Sequence, residues 1–405
     1  MNLPLFISRR ISKPDENTFS STIHKVAVVS IALGLAVMIL AFFILLGFKN
    51  TIIGKIYSFN GHLVISKYTL GQSYNEDPVS LNYPFIQNYE KYEFIAHIQE
   101  FGHKAGLIKT EEEVDGVIFK GVGESFSLKH FAGNLKYGEF IDFKEDGYST
   151  DVILSQKISK RLKLDTGDQF IIHFIQDPPR SRRLDVVGIY ETGMEDFDDK
   201  IIIGDIGMVR RLNNWADSLA GGFEVFIKDV DKIDEAYEKL YDIASYDLFI
   251  QKVSDKYIQI FDWLHLIKYN VYIFLTLILF VASFNMVSIV LILIMERTQM
   301  IGLLKAMGAD NSLIRKIFLY QGMRLILKGL VLGNVAGLSL SFIQYRFKVI
   351  TLDQDSYYMS FVPIEWDWLV VILLNILIFT VVSVIMVFPV NAISRMNPIK
   401  SIRFD

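Results

Sequence analysis

Four runs along the chain are apolar over a length that crosses a membrane: Val26 to Leu46, Tyr269 to Met295, Leu330 to Tyr345 and Trp368 to Val390. A hydrocarbon core of roughly 30 Å needs about 20 helical residues, so each run is expected to be a spanning helix. Residues 47–268, between the first and second runs, have a different texture. GHLVISKY (Gly61 to Tyr68), DGVIFKGVG (Asp115 to Gly123), DQFIIHFI (Asp168 to Ile175) and LDVVGIY (Leu184 to Tyr190) are β-branched or aromatic runs bounded by Gly, Asp or Pro, which predicts strands. VILSQKISKRLKL has the spacing of a short amphipathic helix. GGFEVFIKD, VDKIDEAYEKLYDIASY and DLFIQKV then read as strand, helix and strand. In that helix Ile233, Ala236, Tyr237, Leu240 and Ile243 share one face behind Asp229 or Asp231 as N-cap. The pattern predicts an integral membrane protein with four transmembrane helices and a large α+β extracytoplasmic domain, in two lobes, inserted between helices 1 and 2.

From Asp255 to Ile301 there is no Gly and no Pro. Nothing in that stretch breaks a helix, and at 1.5 Å per residue one helix of this length is roughly 70 Å long, about twice the bilayer core. It is expected to project outward as a stalk; a joint near Lys268 is the alternative. The divisions expected are an amphipathic N-terminal segment at 1–25, spans at 26–48, 269–295, 325–345 and 368–390, an outer domain at 49–254, a stalk at 255–268, a coupling segment at 296–324, an outer loop at 346–367 and a tail at 391–405. LPLFISRRI in the first segment mixes Leu3, Leu5, Phe6, Ile7 and Ile11 with two arginines, as an interfacial helix would, a disordered basic tail being the alternative. Gly329, Gly333 and Gly337 recur at four-residue spacing in the third run, the small-residue row that lets helices approach closely in lipid.

Charge sets the expected orientation. Arg9, Arg10, Lys13 and Lys25 precede the first run, Arg297, Lys305, Arg315, Lys316, Arg324 and Lys328 lie between the second and third, and Arg395, Lys400 and Arg403 follow the fourth. Positive residues resist translocation, so these segments and both termini belong in the cytoplasm and residues 49–254 outside. The net charge of −4 averages over two compartments. With no cysteine, a disulfide framework, a thiol nucleophile, a cysteine-held metal and a lipidated N-terminal cysteine are all excluded. About 25 residues precede the first span and no A-x-A-like site follows it, so it is expected to stay as an anchor. Chemistry is sparse. No phosphate-binding G-x-x-x-x-G-K-[ST] loop and no G-x-S-x-G elbow occurs. His97 and His103 around Glu100 lack a metal-ligand spacing, and Glu195, Asp196, Asp198 and Asp199 lack that of a calcium loop. No enzyme activity and no metal site are expected.

The segment MERTQMIGLLKAMGADNSLIRKIFLYQG, Met295 to Gly322, is similar to the most recognisable stretch of the FtsX-like/MacB-like permease superfamily. Ile301, Gly302, Leu303, Leu304, Lys305, Ala306, Met307, Gly308 and Ala309 match its pattern in order, while Met300 stands where an acidic residue is common. FISRRI, SIALGLAVMI with LLGF, GHLVI, VILSQKISKRLKLDTGDQF, VVGIYETGMEDFD and PVNAISRMNPIKSIRF resemble the lipoprotein-releasing LolC/LolE branch over nearly the whole chain.

That resemblance implies an FtsX-like permease domain at 269–398 in a permease dimer, with a second copy or a paralogue, served by separate cytoplasmic ABC ATPase subunits that bind ATP and Mg, so that no cofactor resides in this chain. Glu296, Arg297, Met300, Ile301, Gly302, Leu304, Lys305, Met307 and Gly308 would couple to the ATPase. The cargo would be acylated lipoproteins of the inner membrane, handed to a periplasmic carrier among membrane lipids, with no nucleic acid involved. Phe42, Phe43, Leu46 and Phe48, with Phe261, Leu264 and Ile267, are candidates for the first cargo-facing apolar surface, or else ordinary packing. Pro178, Pro179, Arg180, Arg182 and Arg183 form the loop where related chains carry a carrier-capturing hairpin; here it is short, and an ordinary hairpin tip is the alternative. A MacB-like exporter of peptides or small toxins and an FtsX-like regulator of cell-wall hydrolases are the rival readings. Protease added to intact spheroplasts is expected to cut within residues 49–254 while both ends stay protected; protection of that domain would reverse the orientation.

Overall fold

The computed structural model describes Pro4, Phe6 and residues 19–68, 76–109, 114–144 and 147–391. The FISRRI start beyond Phe6 and nearly all of PVNAISRMNPIKSIRF lie outside the described residues, as do most of the expected N-terminal segment and tail. The chain divides into two compact units. One comprises residues 1–49, 263–351 and 361–405, the other residues 50–262 and 352–360.

The first unit holds helices long and apolar enough to cross a membrane. Helix α1 runs Phe19–Asn60 and leaves this unit after Lys49. It carries no break at Phe48, because KNTIIGKIYSFN keeps Ile52, Ile56 and Phe59 buried at helical spacing. After α2 (Gln156–Leu162), α3 (Ile206–Asn213) and α4 (Ile233–Ile243), which belong to the outer unit, come α5 (Ile258–Glu296), α6 (Thr298–Ala306), α7 (Asn311–Phe347) and α8 (Trp368–Asn391). Ile31, Leu35, Ile39, Phe43, Met286, Val290, Ile326, Leu374, Ile378 and Val382 belong to their shared core. Helix α7 packs on α1 through its glycines. A Cβ on Gly333 would lie 2.8 Å from the Ala32 carbonyl oxygen and 2.9 Å from Leu35 Cβ, and one on Gly337 would lie 3.0 Å from Ala36 Cα. Backbone therefore meets backbone at this crossing, as the small-residue row requires. Between α7 and α8, Asn334 and Asn375 exchange amide hydrogen bonds of 2.8 and 2.9 Å, so neither polar group faces lipid unpaired.

The outer unit is built on a ten-stranded sheet. Its order is β12 (Leu248–Lys252), β1 (Leu63–Lys67), β11 (Gly222–Ile227), β3 (Ile95–Lys109), β4 (Val114–Val122), β9 (Ile201–Asp205), β6 (Asp151–Ser155), β8 (Arg180–Tyr190) and β5 (Leu135–Gly138), while β7 (Gln169–Phe174) bridges β3 and β8. Most neighbours are antiparallel; β4 with β9 and β6 with β8 are parallel. A small pair, β2 (Val79–Ser80) with β10 (Leu219–Ala220), lies apart. Two cores cover this sheet. One gathers Ile108, Phe119, Leu154, Ile158, Phe174, Leu184 and Met208, the other Leu63, Ile65, Phe85, Ile98, Phe223, Leu240 and Ile250. Strand β3 supplies Ile108 to the first and Ile98 to the second.

The segment read as one amphipathic helix, VILSQKISKRLKL, is a strand followed by a helix. Val152 to Ser155 is β6, and only Gln156–Leu162 is helical (α2), because the Ser155 hydroxyl accepts the Ile158 amide at 3.0 Å and starts the helix there. Helix α3 (Ile206–Asn213) opens on Asp205, whose carboxylate accepts the Gly207 amide at 2.7 Å. Helix α4 is Ile233–Ile243; Asp229 caps the short 3-10 turn that precedes it.

Gly333→Leu is expected to force α1 and α7 apart, at a cost of about 1–3 kcal/mol typical of overpacking, read as a lower melting temperature in detergent. Gly54→Ala is the control. A Cβ there meets nothing within 4 Å, and removing a mid-helix glycine should leave stability unchanged or raise it by about 0.5–1 kcal/mol.

Candidate functional site

In the first unit, the stretch from Glu296 to Asp310 forms a turn-flanked helix. Helix α5 ends at Glu296, where Arg297 leaves helical geometry (φ −103°, ψ 20°). Helix α6 ends on Met307, and Gly308 takes φ +91°, a conformation only glycine adopts without strain, while its amide bonds the Lys305 carbonyl at 3.0 Å. Asp310 then caps α7, accepting the Leu313 amide at 3.2 Å. Ile301 and Gly302 point inward, Met300 and Leu304 are half-buried against the same core, and Arg297 and Lys305 are half-buried. The outward side holds Glu296, Gln299, Leu303 and Met307, with Leu303 57% and Met307 75% exposed, and Gly308 beyond them. Leu303 was missing from the residues chosen on pattern alone; its signal is a leucine one helical turn before Met307.

Of the residues proposed as a cargo surface, three are buried and the others half-buried. Phe43 and Phe48 are buried, with ring centroids 5.3 Å from Trp366 and 5.7 Å from Trp263. Half-buried Phe42 lies 6.1 Å from Tyr272, Leu264 is buried, and Leu46 and Ile267 are half-buried. The apolar face that α5 leaves exposed is another one, with Leu266, Tyr269, Ile273, Phe274, Leu277 and Phe280. The helix thus has two apolar sides, and spacing alone does not tell which one is covered.

In the outer unit, Phe261 packs 6.0 Å from the Tyr57 ring and is half-buried. The β7–β8 hairpin carries the proposed carrier loop. Pro178, Pro179 and Arg183 are exposed. Arg180 instead donates to the Arg211 and Leu212 carbonyls at 3.0 and 3.2 Å, closing the C-terminus of α3, and Arg182 donates to the Tyr148 hydroxyl at 3.1 Å. His97 Nε2 lies 2.6 Å from the Ser125 carbonyl oxygen and His103 Nδ1 2.7 Å from Glu76, so the two histidines serve separate contacts.

The most organised polar region of this unit surrounds the end of α1. Gly61, at φ +69°, stops the helix with its amide on the Tyr57 carbonyl at 2.8 Å. The His62 amide then bonds the Val225 carbonyl, and the His62 carbonyl accepts the Val253 amide at 3.0 Å. His62 Nδ1 accepts the Ile227 amide at 2.9 Å, which fixes that nitrogen unprotonated. Lys120, Glu224 and Gln99 form a buried chain of hydrogen bonds that reaches Phe59. Beside them opens a cleft of ≈ 860 Å³ lined by Phe59, Lys67, Glu76, Glu224 and Lys256 among others. Sequence reading passed over Lys120 and Glu224. Their signal is a charge set between apolar neighbours, Lys120 after Val117, Ile118 and Phe119 and Glu224 between Phe223 and Val225, which needs a buried partner.

A second polar cluster lies in the ETGMEDFD segment, Glu191 to Asp198. The Asp198 carboxylate accepts the Thr192 and Gly193 amides at 3.0 and 2.7 Å and the Thr192 hydroxyl at 2.7 Å. Burial pushes its pKa up, and these donors partly offset that. The segment Leu352–Ser360, between α7 and α8 in sequence, clips on here. Gln354 donates to Glu191 at 3.0 Å, and Lys55 of α1 donates to the Tyr358 carbonyl at 2.7 Å.

This architecture matches known proteins. The family described as MacB-like periplasmic core domain matches residues 26–243, and the FtsX-like permease C-terminal family matches residues 272–398. The chain belongs to the family of membrane proteins that join a MacB-like periplasmic core domain to an FtsX-like permease domain. It is similar to the lipoprotein-releasing system transmembrane protein LolE of Haemophilus influenzae, 23% identical over 98% of this chain and 98% of that one. It is also similar to the LolC proteins of Xylella fastidiosa, strain Temecula1 (21% identity, 96% of this chain and 95% of that one), and of Neisseria meningitidis (22%, 98% of each). Among solved structures, the periplasmic region of MacB from Actinobacillus actinomycetemcomitans is similar at a TM-score of 0.34 and 15% identity, over 49% of this chain and 91% of that one.

Burial, and then the nearby His130, hold His62 at a pKa of about 4 against an ordinary 6.5. The unfolded chain therefore takes up the proton first, so this contribution to stability is complete above about pH 6.5 and is lost as pH falls toward 4, by up to ~3 kcal/mol. Denaturant unfolding between pH 7 and 4 should show that loss, and His62→Gln should reduce it; an unchanged slope would mean that His62 titrates normally.

Proposed function

We propose that this chain is a permease subunit of an ABC transporter in the bacterial inner membrane. ATP hydrolysis on a separate subunit lifts acylated lipoproteins out of the outer leaflet and passes them to a periplasmic carrier. The observation that carries this reading is near end-to-end similarity to lipoprotein-releasing transmembrane proteins. It covers the outer domain and the spans alike, together with the FtsX-like coupling segment after α5. Both ends lie in the cytoplasm and the outer unit in the periplasm, following the distribution of Lys and Arg.

Each subunit has a physical task. Three acyl chains of about 15 methylenes, at roughly 0.8 kcal/mol each, would cost on the order of 35 kcal/mol to expose to water, so cargo must pass between apolar surfaces. The exposed face of α5, Leu266 to Phe280, suits that contact, toward cargo or toward the second permease of the dimer. The ATPase docks on the outward side of α6, where Leu303 and Met307 supply apolar anchors and Gln299 a polar edge. Ile301 and Gly302 are fastened in the core on the opposite side, so a push on α6 enters the helices rather than tilting a loose turn. Pro178, Pro179 and Arg183 at the β7–β8 tip remain the candidate carrier contact, whereas Arg180 and Arg182 shape the hairpin.

Depleting the protein should leave acylated proteins stranded in the inner membrane. Normal lipoprotein sorting with a defect in peptide export or in cell-wall cleavage would instead favour a MacB-like or FtsX-like role. Leu303→Asp is expected to weaken copurification of the ATPase at least ~10-fold, about 1.4 kcal/mol, without lowering the melting temperature. Gly302→Asp should lose both, because Gly302 is buried and a carboxylate there would be desolvated. An ATPase that stays bound and turns over normally with Leu303→Asp would place the docking surface elsewhere.

A further inference from the structure

Lys120 lies on β4, inside the sheet, and its side chain is only 2% exposed. Its ammonium donates to two acceptors: the Phe59 carbonyl oxygen at 2.5 Å and Glu224 Oε1 at 2.6 Å. It also sits 4.6 Å from the centre of the Phe59 ring. Glu224, on β11, accepts through its other oxygen from Gln99 Nε2 at 2.7 Å, and Gln99 is its direct cross-strand partner on β3. Gln99 Oε1 in turn accepts the Ser127 amide at 2.9 Å. Three adjacent strands thus contribute one side chain each to a chain of hydrogen bonds, and it terminates on a single carbonyl in the last turn of α1.

A buried ion pair is a poor way to stabilise a sheet, because desolvation offsets the attraction and apolar residues of similar volume serve as well or better. The pair therefore needs another reason, and its third partner supplies one. The final carbonyls of a helix lack amide partners and carry the negative end of the helix dipole, so a cation placed there is bound firmly and in one direction. This helix end has other attachments. Stacking of Phe59 on Phe197, with centroids 4.5 Å apart, permits sliding, the Asn134 side-chain amide donates to the Ser58 hydroxyl at 3.0 Å between two neutral side chains, and the bonds of His62 lie beyond the helix in the connecting chain. Among the described residues, it is Lys120 that takes hold of the main chain of the last helical turn from the sheet with a directional, charge-assisted bond.

We propose that Lys120 is a positioning residue for transport. It grips the outer end of α1, so that a pull or twist along this helix is delivered to β4, β3 and β11 together. Glu224 and Gln99 orient the ammonium. The proposal rests on the function inferred above, in which movement originates at an ATPase, and it adds the point at which one helix hands that movement to the sheet.

The test uses the full transporter, this chain with its ATPase and partner permease in lipid nanodiscs, and compares two variants. Lys120→Met with Glu224→Gln removes both charges and the grip together, leaving a neutral side chain at 224 still paired with Gln99. Glu224→Gln alone keeps the ammonium on the Phe59 carbonyl. The double variant should assemble and hydrolyse ATP as the parent does. Its amides at residues 57–60 should exchange hydrogen at least ~10-fold faster, and the acylated cargo released per ATP should fall by a similar factor. Glu224→Gln alone should keep slow exchange and most of the release. Equal loss of release in both variants would assign the pair a merely structural role, and parental release per ATP in the double variant would overturn the proposal. A parental transporter that releases no acylated cargo would instead defeat the function proposed above, while the exchange rates would still report on the grip.

Discussion

In hydrocarbon no backbone amide or carbonyl can be left without a partner, so a chain that crosses it does so as unbroken helix. In this protein the constraint reaches beyond the apolar runs. Helix α1 continues to Asn60 and α5 begins at Ile258. Each is therefore a continuous helix of about 60 Å along its own path, at 1.5 Å per residue. In the function proposed above, such a helix would transmit only what its ends are fastened to. At one end of α5 the fastening is the Ile301 and Gly302 side of α6 within the helical core, and at the outer end of α1 it is the cluster around Phe59, Gly61 and His62.

That arrangement separates two properties that are easily confused in a membrane protein, hydrophobicity and availability. Phe43, Phe48 and Leu264 are as apolar as Phe274 or Phe280, yet the first three are covered and the last two are exposed. Likewise Ile301 and Leu303 sit two positions apart on one short helix and face opposite ways. Buried and exposed apolar residues are thus interleaved along the same helices.

Much of the fold was legible in the sequence because its signals are periodic. Four apolar runs, β-branched strands such as Val117 to Val122 and the amphipathic Ile233 to Ile243 each announce themselves over several residues. What escaped reading had its pattern broken by buried polar groups. Strand β3, IAHIQEFGHKAGLIK, carries His97, Gln99, Glu100, His103 and Lys104, which look like surface until Gln99 is seen bonded to Glu224 and Lys104 to Asn213 at 2.7 Å. The coupling motif was legible as a motif, but which side of α6 faces outward depends on the packing of Ile301, a tertiary fact. The helix-end grip was illegible because its acceptor is a main-chain carbonyl, which no residue type encodes.

Strand β3 has one more consequence. Among the described residues it is the strand that contributes to both hydrophobic cores of this unit, Ile98 to one and Ile108 to the other, and α3 joins them too through Ile206 and Met208. The two cores thus share a strand and a helix, so loss of order in one strips contacts from the other. In the function proposed above, those shared elements would give a movement that reaches the sheet a route from one core to the other.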